Sequence, residues 1–594
     1  MALLDETPGP SPSVLAPRRP GGAVPRLRRW ADYLAIALAI FTALAILGFY
    51  ATRLSMPLPI FGADEGSYLI RALFDPTSIA RNPLVANVTN GALFSVIRAG
   101  AALGGDYVVT DRWLNAAAYL AGLLLLARVA TAGLPWRIQL GLLILTVGFP
   151  YYRFAFSDMA EGLFVGVLGA MCAATLLLYR RKPVMHALAF GVLAAVLVLV
   201  KPNGVAVVLA FAAVVLLDAV VGRDWRAAAL RLALFGLAFF TVGNLIQAAA
   251  GEPVRNAAQF FVSPFYGSAL GAALPNHPAP LAGLNLMATS SAAAVLAGIP
   301  AVIALSDLAQ RWRGARGSGG FRLANADVVS LILLAALTAT LVMVTIFALK
   351  VASSPTETKR LWGRYFEFFA PLLWLSAAPA IARLDGAPGR WTRIACAGAL
   401  ALGLAGLLMS FRAGVVLFPW DATATTAFFA PDLSRGTISP TLPLRAISVA
   451  VTLIAAGAIL WRAHPLRVGV GLILALAVLS TWLDRAWTGP IVVMRTQLDH
   501  DMRAIAPTLP ARPGATIMVA DDPNEALLGF MALQGRPRVL LTTPQATPPE
   551  ALRAAEMVIV GGPEILPGDQ WVRTYRGARA SAFRRATPLP AAGP

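Results

Sequence analysis

The sequence contains little cysteine, little histidine and little charge. Its two cysteines, Cys172 and Cys396, each lie inside an apolar run, so they form no disulfide framework and do not indicate a redox compartment. The four histidines are scattered and show no zinc-ligand spacing. Only 13% of the residues are charged and 58% are hydrophobic, which a soluble globular core does not explain. The composition therefore predicts a polytopic α-helical membrane protein.

The charge that is present is mainly positive, with a formal net charge of +19. Most arginines and lysines fall in short segments between apolar runs, where positive charge orients a chain in the membrane. There is no basic stripe with interleaved aromatic residues, so no nucleic-acid partner is expected. Membrane lipids are the expected surroundings of the chain.

Apolar runs of about 20 residues are long enough to cross a bilayer. The thirteen predicted spans lie near residues 32–50, 114–132, 137–150, 159–179, 185–200, 203–221, 228–248, 284–305, 326–348, 366–383, 394–411, 443–461 and 466–483. The 137–150 run is the shortest, and a re-entrant segment is the alternative there. Amphipathic pieces are predicted at 64–74 and 91–103, in the polar interval after the first span.

Every second predicted span is followed by a basic segment, which places the N-terminus in the cytoplasm and the C-terminus outside. Residues 1–31 are predicted to be a disordered cytoplasmic tail. Residues 32–483 form the membrane domain, whose first outer loop covers 51–113. Residues 484–594 alternate predicted strands and helices, which is typical of a small α/β domain.

Two adjacent carboxylates, Asp64 and Glu65, lie in the first outer loop, shortly before Tyr68. An ionisable pair at the edge of a bilayer costs free energy unless it is solvated, paired or functional, so the pair is a candidate site. The alternative is that Asp64 only caps an interfacial helix, although a cap requires a single acid.

A second acidic pair, Asp158 and Glu161, follows the third predicted span. Its spacing is that of a capping box that starts the fourth span, and it also places both carboxylates on one helix face. A capping role and a substrate or metal role are compatible. Carboxylates from two outer loops could hold a divalent cation, but the sequence does not require one.

Cations also occur on the predicted outer side. Lys201 lies in a Lys-Pro-Asn-Gly turn, where it either snorkels to the interface or binds a phosphate. Arg360, Arg364 and Tyr365 belong to a basic loop that runs against the usual charge bias and therefore favours an anionic partner. Phosphate binding is preferred there to simple lipid anchoring, because arginine offers bidentate geometry.

Together these residues resemble the C-type membrane glycosyltransferases, and the layout is nearest to the aminoarabinose transferase and protein O-mannosyltransferase branch. The resemblance covers most of the chain, and each motif alone is short. The matching motifs, in chain order, are Asp64-Glu65-x-x-Tyr68, Arg112, Asp158, Leu199-Val-Lys201-Pro and Arg364-Tyr365.

The resemblance implies a glycosyltransferase that uses a polyprenyl-phosphate sugar at the periplasmic face of a bacterial inner membrane, by an inverting single displacement. It implies that Asp64 is the base and that Glu65 orients Asp64, the acceptor or a metal. Lys201, Arg360 and Arg364, with Tyr365, would bind the donor phosphate. A Lys-Pro-Pro stretch of the aminoarabinose branch is replaced here by Arg81-Asn-Pro. The sugar and the acceptor, whether a glycan, a lipid or a protein, therefore stay open.

Two other functions compete with this one. A transporter or flippase would bind a lipid-linked glycan with the same cations, although such proteins usually carry internal repeats and mid-membrane charges that are not evident here. A non-catalytic scaffold would use the Asp64 region only as a helix cap. Asp64→Asn separates the three, because only an enzyme would lose turnover.

Overall fold

The computed structural model describes most of the chain. The described residues are 26–60, 63–74, 90–104, 106–261, 277–315, 321–350, 359–384, 388–418, 421–429, 441–512, 515–543, 546–561 and 570–586. The predicted tail up to residue 25 and the Arg81-Asn-Pro stretch lie outside these ranges.

Helices form the membrane part. In chain order they are α1 (Arg26–Ala51), α2 (Ala63–Leu73), α3 (Gly91–Ala102), α4 (Tyr107–Ala130), α5 (Trp136–Gly148), α6 (Tyr152–Ala155), α7 (Glu161–Leu178), α8 (Pro183–Val200), α9 (Gly204–Gly222), α10 (Trp225–Ala249), α11 (Ala257–Phe261), α12 (Pro278–Ala315), α13 (Asn325–Lys350), α14 (Phe369–Ser376), α15 (Ala378–Ala382), α16 (Arg390–Arg412), α17 (Thr441–Leu460) and α18 (Pro465–Ile505).

Within the described ranges, eleven helices are long and apolar enough to cross a membrane. The other two predicted spans are α5, which has 13 residues, and the α14–α15 pair, which is interrupted at Ala377. A helix of that length rises only about 20 Å, against a hydrocarbon core of about 30 Å. The predicted amphipathic pieces are α2 and α3. The predicted class, a polytopic α-helical membrane protein, is confirmed.

Contacts between helix ends define the two ends of the bundle. Arg180, after α7, donates to the carbonyl of Leu323 before α13 (3.0 Å), and Arg393 in α16 donates to the carbonyl of Leu460 at the end of α17 (3.0 Å). Further ion pairs join the same ends; they are Arg180–Asp218, Arg231–Asp218, Arg311–Asp327 and Arg383–Asp307. We call this end the basal end. The opposite end, which carries residues 52–60, 63–74 and 90–104 and the C-terminal sheet, is the domain end.

Helices α4 and α7 pack with their backbones almost in contact. A Cβ atom on Gly122 would lie 2.2 Å from the carbonyl oxygen of Gly166, and one on Gly166 would lie 2.3 Å from that of Ala118. Small residues at such crossings let two membrane helices approach closely. This contact holds Arg112, near the start of α4, beside the segment that leads into α7.

The C-terminal part is a small α/β domain. Its elements are β1 (Thr516–Ala520), α19 (Pro523–Ala532), β2 (Arg538–Leu541), α20 (Pro549–Ala554), β3 (Met557–Gly561), β4 (Trp571–Arg576) and β5 (Ala580–Arg585). The strand order is β2-β1-β3-β5-β4, with β1, β2 and β3 parallel and the last two pairings antiparallel. All of β1 is buried, as expected for the central strand of a covered parallel sheet. The predicted alternation of strands and helices is thus present, and Asp521-Asp522 form a bend before α19.

The last long helix extends beyond the predicted span. The apolar run suggested an end near residue 483, whereas α18 continues to Ile505 and contains Pro490. Close to its end, the buried carboxylate of Asp501 accepts the hydroxyl of Tyr575 (2.8 Å) and the backbone N–H groups of Arg579 (2.7 Å) and Ala580 (3.0 Å). Helix α18 is therefore one continuous element from the basal end into the sheet. At the other terminus, α1 begins at Arg26, earlier than predicted.

Candidate functional site

The first acidic pair lies at the start of α2. The helix begins at Ala63, so Asp64 and Glu65 are in its first turn rather than at the preceding cap position. The side chain of Asp64 lies outside the described part of the structure. Glu65 is fully buried, and its Oε1 accepts the backbone N–H of Asp158 (2.9 Å). Tyr68, in the next turn, is half-buried. The structure thus brings the two predicted acidic segments together.

Arg112 connects this region to the end of α1. It is completely buried, and its Nε donates to Oδ2 of Asp158 (2.9 Å). Its Nη atoms donate to the carbonyl oxygens of Arg53 (3.2 Å), Met56 and Leu58 (2.7 Å). A planar guanidinium that uses its donors in this way fixes three segments against one another. Arg112, which the sequence singled out only through the family resemblance, is therefore the central side chain of the acidic cluster.

Three buried carboxylates surround this one arginine: Glu65, Asp111 and Asp158. The Oδ1 atoms of Asp111 and Asp158 have no hydrogen-bond partner among the described residues. Burial raises the pKa of Asp158 well above its usual range; Arg112 opposes this shift, whereas Glu65 and Asp111 add to it. The cluster is therefore poised to retain a proton or to attract a positive group.

The predicted capping box is wrong. Helix α7 starts at Glu161, and its N-cap residue Ala160 makes no side-chain capping bond. The carboxylate of Asp158 is taken up by Arg112, and that of Glu161 is paired with Lys201. The Asp-x-x-Glu spacing instead directs the two carboxylates to two different cations.

Lys201 does not snorkel. Its side chain is buried, Nζ donates to Oε1 of Glu161, and Nζ lies 4.5 Å from the ring centroid of Tyr365. An ammonium group can be buried in this way, between a carboxylate and an aromatic face. The structure thereby joins the predicted Lys201 turn to the predicted basic loop.

Arg364 and Tyr365 form a short 3₁₀ turn with Gly363. Arg364 is half-buried, and its Nη2 donates to the hydroxyl of Tyr365 (3.2 Å). The carbonyl of Arg364 accepts the hydroxyl of Tyr151 (2.7 Å), and its N–H donates to the carbonyl of Asp421 (2.7 Å). This turn is thus held from two sides, next to Lys201.

Arg360 has a carboxylate partner that the sequence did not suggest. Its Nε and Nη2 donate to the two oxygens of Asp421, and its guanidinium lies 4.1 Å from the ring centroid of Trp362. Asp421 is fully buried. Part of the charge of Arg360 is therefore already neutralised by Asp421, as that of Lys201 is by Glu161.

Glu367 is a buried carboxylate that sequence analysis missed. It accepts the backbone N–H groups of Thr423 (2.6 Å), Ala424 (3.0 Å) and Thr425 (3.3 Å), and both threonine hydroxyls. This arrangement neutralises the positive end of a 3₁₀ turn that begins at Ala424. The only local signal is the threonine-rich run itself. Glu367 fixes the segment that carries Asp421 and thus supports the Arg364 turn.

A second missed group is a buried triad of Arg53, Asp484 and Arg153. Asp484 pairs with Arg53 on one side and with Arg153 on the other, where Nε lies 3.3 Å from Oδ1. Arg153 also donates to Thr426 Oγ1 (2.9 Å) and to the carbonyl of Ser480 (3.3 Å). The triad ties the turn that follows α1 to α6 and α18.

No metal site is evident in the described ranges. They contain no group of three or more histidine, cysteine, aspartate or glutamate side chains placed to hold an ion. His277 is exposed, and His186 is buried near the basal end, where its Nε2 lies 3.0 Å from Thr175 Oγ1. At the start of α2, the side-chain geometry is described for Glu65 and not for Asp64.

No family model matches the chain, and no curated protein matches it significantly in sequence. Among solved structures, the chain is similar to ArnT from Cupriavidus metallidurans in the apo state, with 16% identity and a TM-score of 0.49 over 94% of this chain and 98% of ArnT. For ArnT bound to undecaprenyl phosphate the values are 16% and 0.46, over 93% and 97%. For the arabinosyltransferase EmbB from Mycobacterium smegmatis they are 17% and 0.40, over 81% of this chain and 43% of EmbB. Because these sequence identities and TM-scores are low, the chemistry of this chain has to be inferred from its own residues.

Proposed function

We propose that the chain is a membrane glycosyltransferase that transfers a sugar from a polyprenyl-phosphate donor to an acceptor hydroxyl at the domain end. The observation that carries the proposal is the segment from Asp158 to Glu161. Asp158 contacts Glu65 and Arg112, and Glu161 contacts Lys201, which lies against Tyr365. One short segment therefore joins an acidic cluster to a cationic cluster, as a displacement at a sugar phosphate requires.

In the proposed reaction, Asp64 accepts the proton of the acceptor hydroxyl while that oxygen attacks the anomeric carbon. The bond between this carbon and the phosphate oxygen breaks, and its electron pair leaves with the polyprenyl phosphate. A single displacement of this kind inverts the anomeric centre and needs one base. Glu65, through the N–H of Asp158, holds the first turn of α2 in register with the cationic side.

Charge develops on the leaving phosphate, and fixed cations stabilise it without having to reorganise. Lys201 uses one donor on Glu161 and retains two more. Arg364 is half-buried beside it, and we assign the phosphate primarily to these two side chains, with Tyr365 between them. Arg360, paired with Asp421, would line the same phosphate-binding site. The mechanism requires no divalent cation, although Glu65 and Asp158 are the residues that one would approach.

We propose further that the domain end faces the periplasm of a bacterium and that the chain lies in the inner membrane. Exposed arginines, among them Arg137, Arg226 and Arg462, lie at the basal ends of the membrane helices, as the positive-inside rule expects of the cytoplasmic side. The division into a tail (1–31), a membrane domain (32–483) and an outer domain (484–594) is retained as a proposal. Helix α18 crosses its second boundary without interruption.

The proposal is tested with purified protein in lipid nanodiscs and a panel of radiolabelled polyprenyl-phosphate sugars. Release or transfer of sugar is measured with glycan, lipid and peptide acceptors, each with and without EDTA. We expect wild type to turn over one donor, and Asp64→Asn to bind that donor but to lose at least about 100-fold in turnover, in line with general-base catalysis.

Asp32→Asn is the matched control, because Asp32 is exposed on α1 near the basal end, far from the site. It should leave both binding and turnover unchanged. If wild type and Asp64→Asn bind lipid equally and neither releases sugar under any condition, the enzyme proposal fails and lipid-linked glycan transport becomes the better explanation.

A further inference from the structure

The C-terminal domain lies directly against the helix that carries Asp64 and Glu65. A Cβ atom on Gly66 would be 3.6 Å from Sδ of Met531 and 3.8 Å from Cβ of Leu527, both in α19. Just after α2, the ring of Phe74 meets that of Phe530 edge to face, with centroids 5.4 Å apart. Helix α19 therefore packs against α2 at Gly66 and against the residue that follows α2, Phe74.

A hydrogen bond and a buried charge reinforce this contact. The hydroxyl of Tyr107, at the start of α4, donates to the carbonyl of Met531 (3.1 Å). Arg495, in α18, is 7% exposed and interacts electrostatically with Asp522 of the C-terminal domain and with Glu65 of α2. One arginine thus faces an acid on each side of the boundary between the two domains.

The C-terminal domain is also fixed to the membrane bundle through α18. Asp484, within this helix, is paired with Arg53 and Arg153, and Asp501 near its end holds the turn between β4 and β5. A Cβ atom on Gly577 in that turn would lie 2.2 Å from the Asp501 carboxylate. The sheet is therefore fixed to the end of α18, and this attachment sets the position of α19 relative to α2.

From these contacts we infer that the C-terminal domain positions the catalytic helix: Phe530 and Met531 press α2 toward Asp158, and Arg495 aligns Glu65. This inference rests on the proposed function, because it makes the domain part of the catalytic unit. Phe530, Met531 and Arg495 are positioning residues that touch neither donor nor acceptor. The alternative role for such a domain is acceptor binding, which predicts different kinetics.

The test compares Phe530→Ala with Phe583→Ala. Both phenylalanines are buried in the C-terminal domain, but Phe583 belongs to a separate core cluster with Ile517 and Val558. We expect Phe530→Ala to lower kcat about 10- to 100-fold with the KM values for donor and acceptor unchanged, since small displacements of a catalytic group cost this much. Phe583→Ala should lower thermal stability while kcat is retained. Phe530→Leu should restore most of the lost kcat.

A double-mutant cycle with Phe74→Ala sharpens the test, because Phe74→Ala/Phe530→Ala should be no slower than the worse single variant. Equal loss of kcat in Phe530→Ala and Phe583→Ala would overturn the inference. A raised KM for the acceptor with kcat unchanged would also overturn it, in favour of acceptor binding. Hydrogen exchange of residues 63–73 decides the question even if wild type transfers no sugar: exchange that is faster in Phe530→Ala than in Phe583→Ala supports positioning, and equal exchange refutes it.

A different observation concerns the basal end, where exposed tryptophans stand next to exposed arginines. The pairs are Trp136-Arg137, Trp225-Arg226, Trp312-Arg313, Arg390-Trp391 and Trp461-Arg462. The tryptophans are between 48% and 90% exposed, and each lies at the basal end of a different helix. At the domain end, Trp113, Trp482 and Trp487 are also exposed, but none of them is adjacent in sequence to an exposed arginine; the exposed Arg485 lies three residues after Trp482.

We propose that these five pairs, the basal rim, bind the headgroups of anionic phospholipids. Tryptophan rings settle at the level of the headgroups, and a guanidinium beside them donates two hydrogen bonds to a phosphate. Each arginine near an anionic surface contributes roughly a fivefold preference. Since all five pairs lie at the basal end, the preference concerns one leaflet.

The basal rim is tested by native mass spectrometry of lipid that co-purifies from nanodiscs made of equal parts phosphatidylglycerol and phosphatidylcholine. Wild type should retain phosphatidylglycerol preferentially, and a variant with all five rim arginines changed to glutamine should lose that preference at least about fivefold. The control changes five arginines of the domain end to glutamine, namely Arg503, Arg512, Arg536, Arg538 and Arg584. Equal retention of both lipids by wild type, or an equal loss in the control, would overturn the proposal.

Discussion

Replacing Asp484 by asparagine tests the buried triad. Asp484 and Arg153 are fully buried, and the side chain of Arg53 is 4% exposed. The substitution keeps the size of the side chain but removes the only negative charge of the triad. Two buried guanidinium groups then face each other across a neutral amide, and this costs far more than the attraction between the original charges contributed.

The expected loss follows from what the two arginines retain. Removing one partner of a buried ion pair costs about 3–5 kcal/mol. Arg53 keeps its bond to Thr488 Oγ1 (3.0 Å), and Arg153 keeps those to Thr426 and Ser480. We therefore expect a value at the lower end of that range, about 3 kcal/mol in the free energy of unfolding. Asp484→Asn/Arg53→Gln should recover part of it, because one uncompensated charge is removed.

The assay is an unfolding titration with sodium dodecyl sulfate from mild detergent micelles, followed by tryptophan fluorescence. Asp499→Asn is the matched control, since Asp499 lies on the same helix and pairs with Arg503, whose side chain is 68% exposed. Such a pair contributes only about 0–1 kcal/mol. If Asp484→Asn and Asp499→Asn lower the free energy of unfolding by similar amounts, the triad does not hold the turn after α1 to α6 and α18.

Three further predictions concern the site and its supports. Because burial raises the pKa of Asp158, the folded chain keeps a proton that the unfolded chain loses above about pH 4. The stability of the fold should therefore decrease as the pH rises from about 4 toward the raised pKa. Asp158→Asn should flatten this part of a plot of melting temperature against pH, and an unchanged slope would contradict the raised pKa. Glu367→Gln should lower the free energy of unfolding by about 2–3 kcal/mol, the usual contribution of hydrogen bonds to a charged group, as measured by melting in detergent. An unchanged melting temperature would mean that the Thr423 segment does not need the charge of Glu367. Gly166→Ala should destabilise by about 1–3 kcal/mol through overpacking against α4, whereas Gly457→Ala, which meets open space, should be neutral or slightly stabilising in the same assay.

The membrane spans and the C-terminal strands could be predicted because their causes are local. A run of apolar residues long enough for the bilayer forms a helix wherever it occurs, and a short apolar run between turn residues forms a strand. The exception is α18. Asp484 and Arg485 ended the apolar run without ending the helix, because Asp484 finds its partners in Arg53 and Arg153, which are far away in sequence. A hydropathy pattern shows where polar residues begin in the sequence, but it does not show which distant residues will pair with them in the fold.

The site could be predicted only as a set of residues on one side of the membrane. Glu65 meets Asp158 across 93 positions, and Lys201 meets Glu161 across 40, and no local pattern specifies such pairs. The Asp158-x-x-Glu161 spacing fits a helix cap equally well, and the tertiary cations decided against the cap. Glu367 and Asp421 were missed for the same reason, since neither forms a motif with its sequence neighbours.

The placement of buried charge bears on how the site would act. Lys201 and Arg360 each hold a carboxylate before any substrate arrives, so neither of them has to be ordered when a phosphate binds. Charges fixed in this way stabilise developing charge at no cost in reorganisation. The same pairing weakens the attraction of these cations for the phosphate of a bound donor, because each cation is already partly neutralised by its carboxylate. A donor would therefore be bound mainly through its lipid and sugar, and the cations would exert their largest effect only as the phosphate gains charge on leaving.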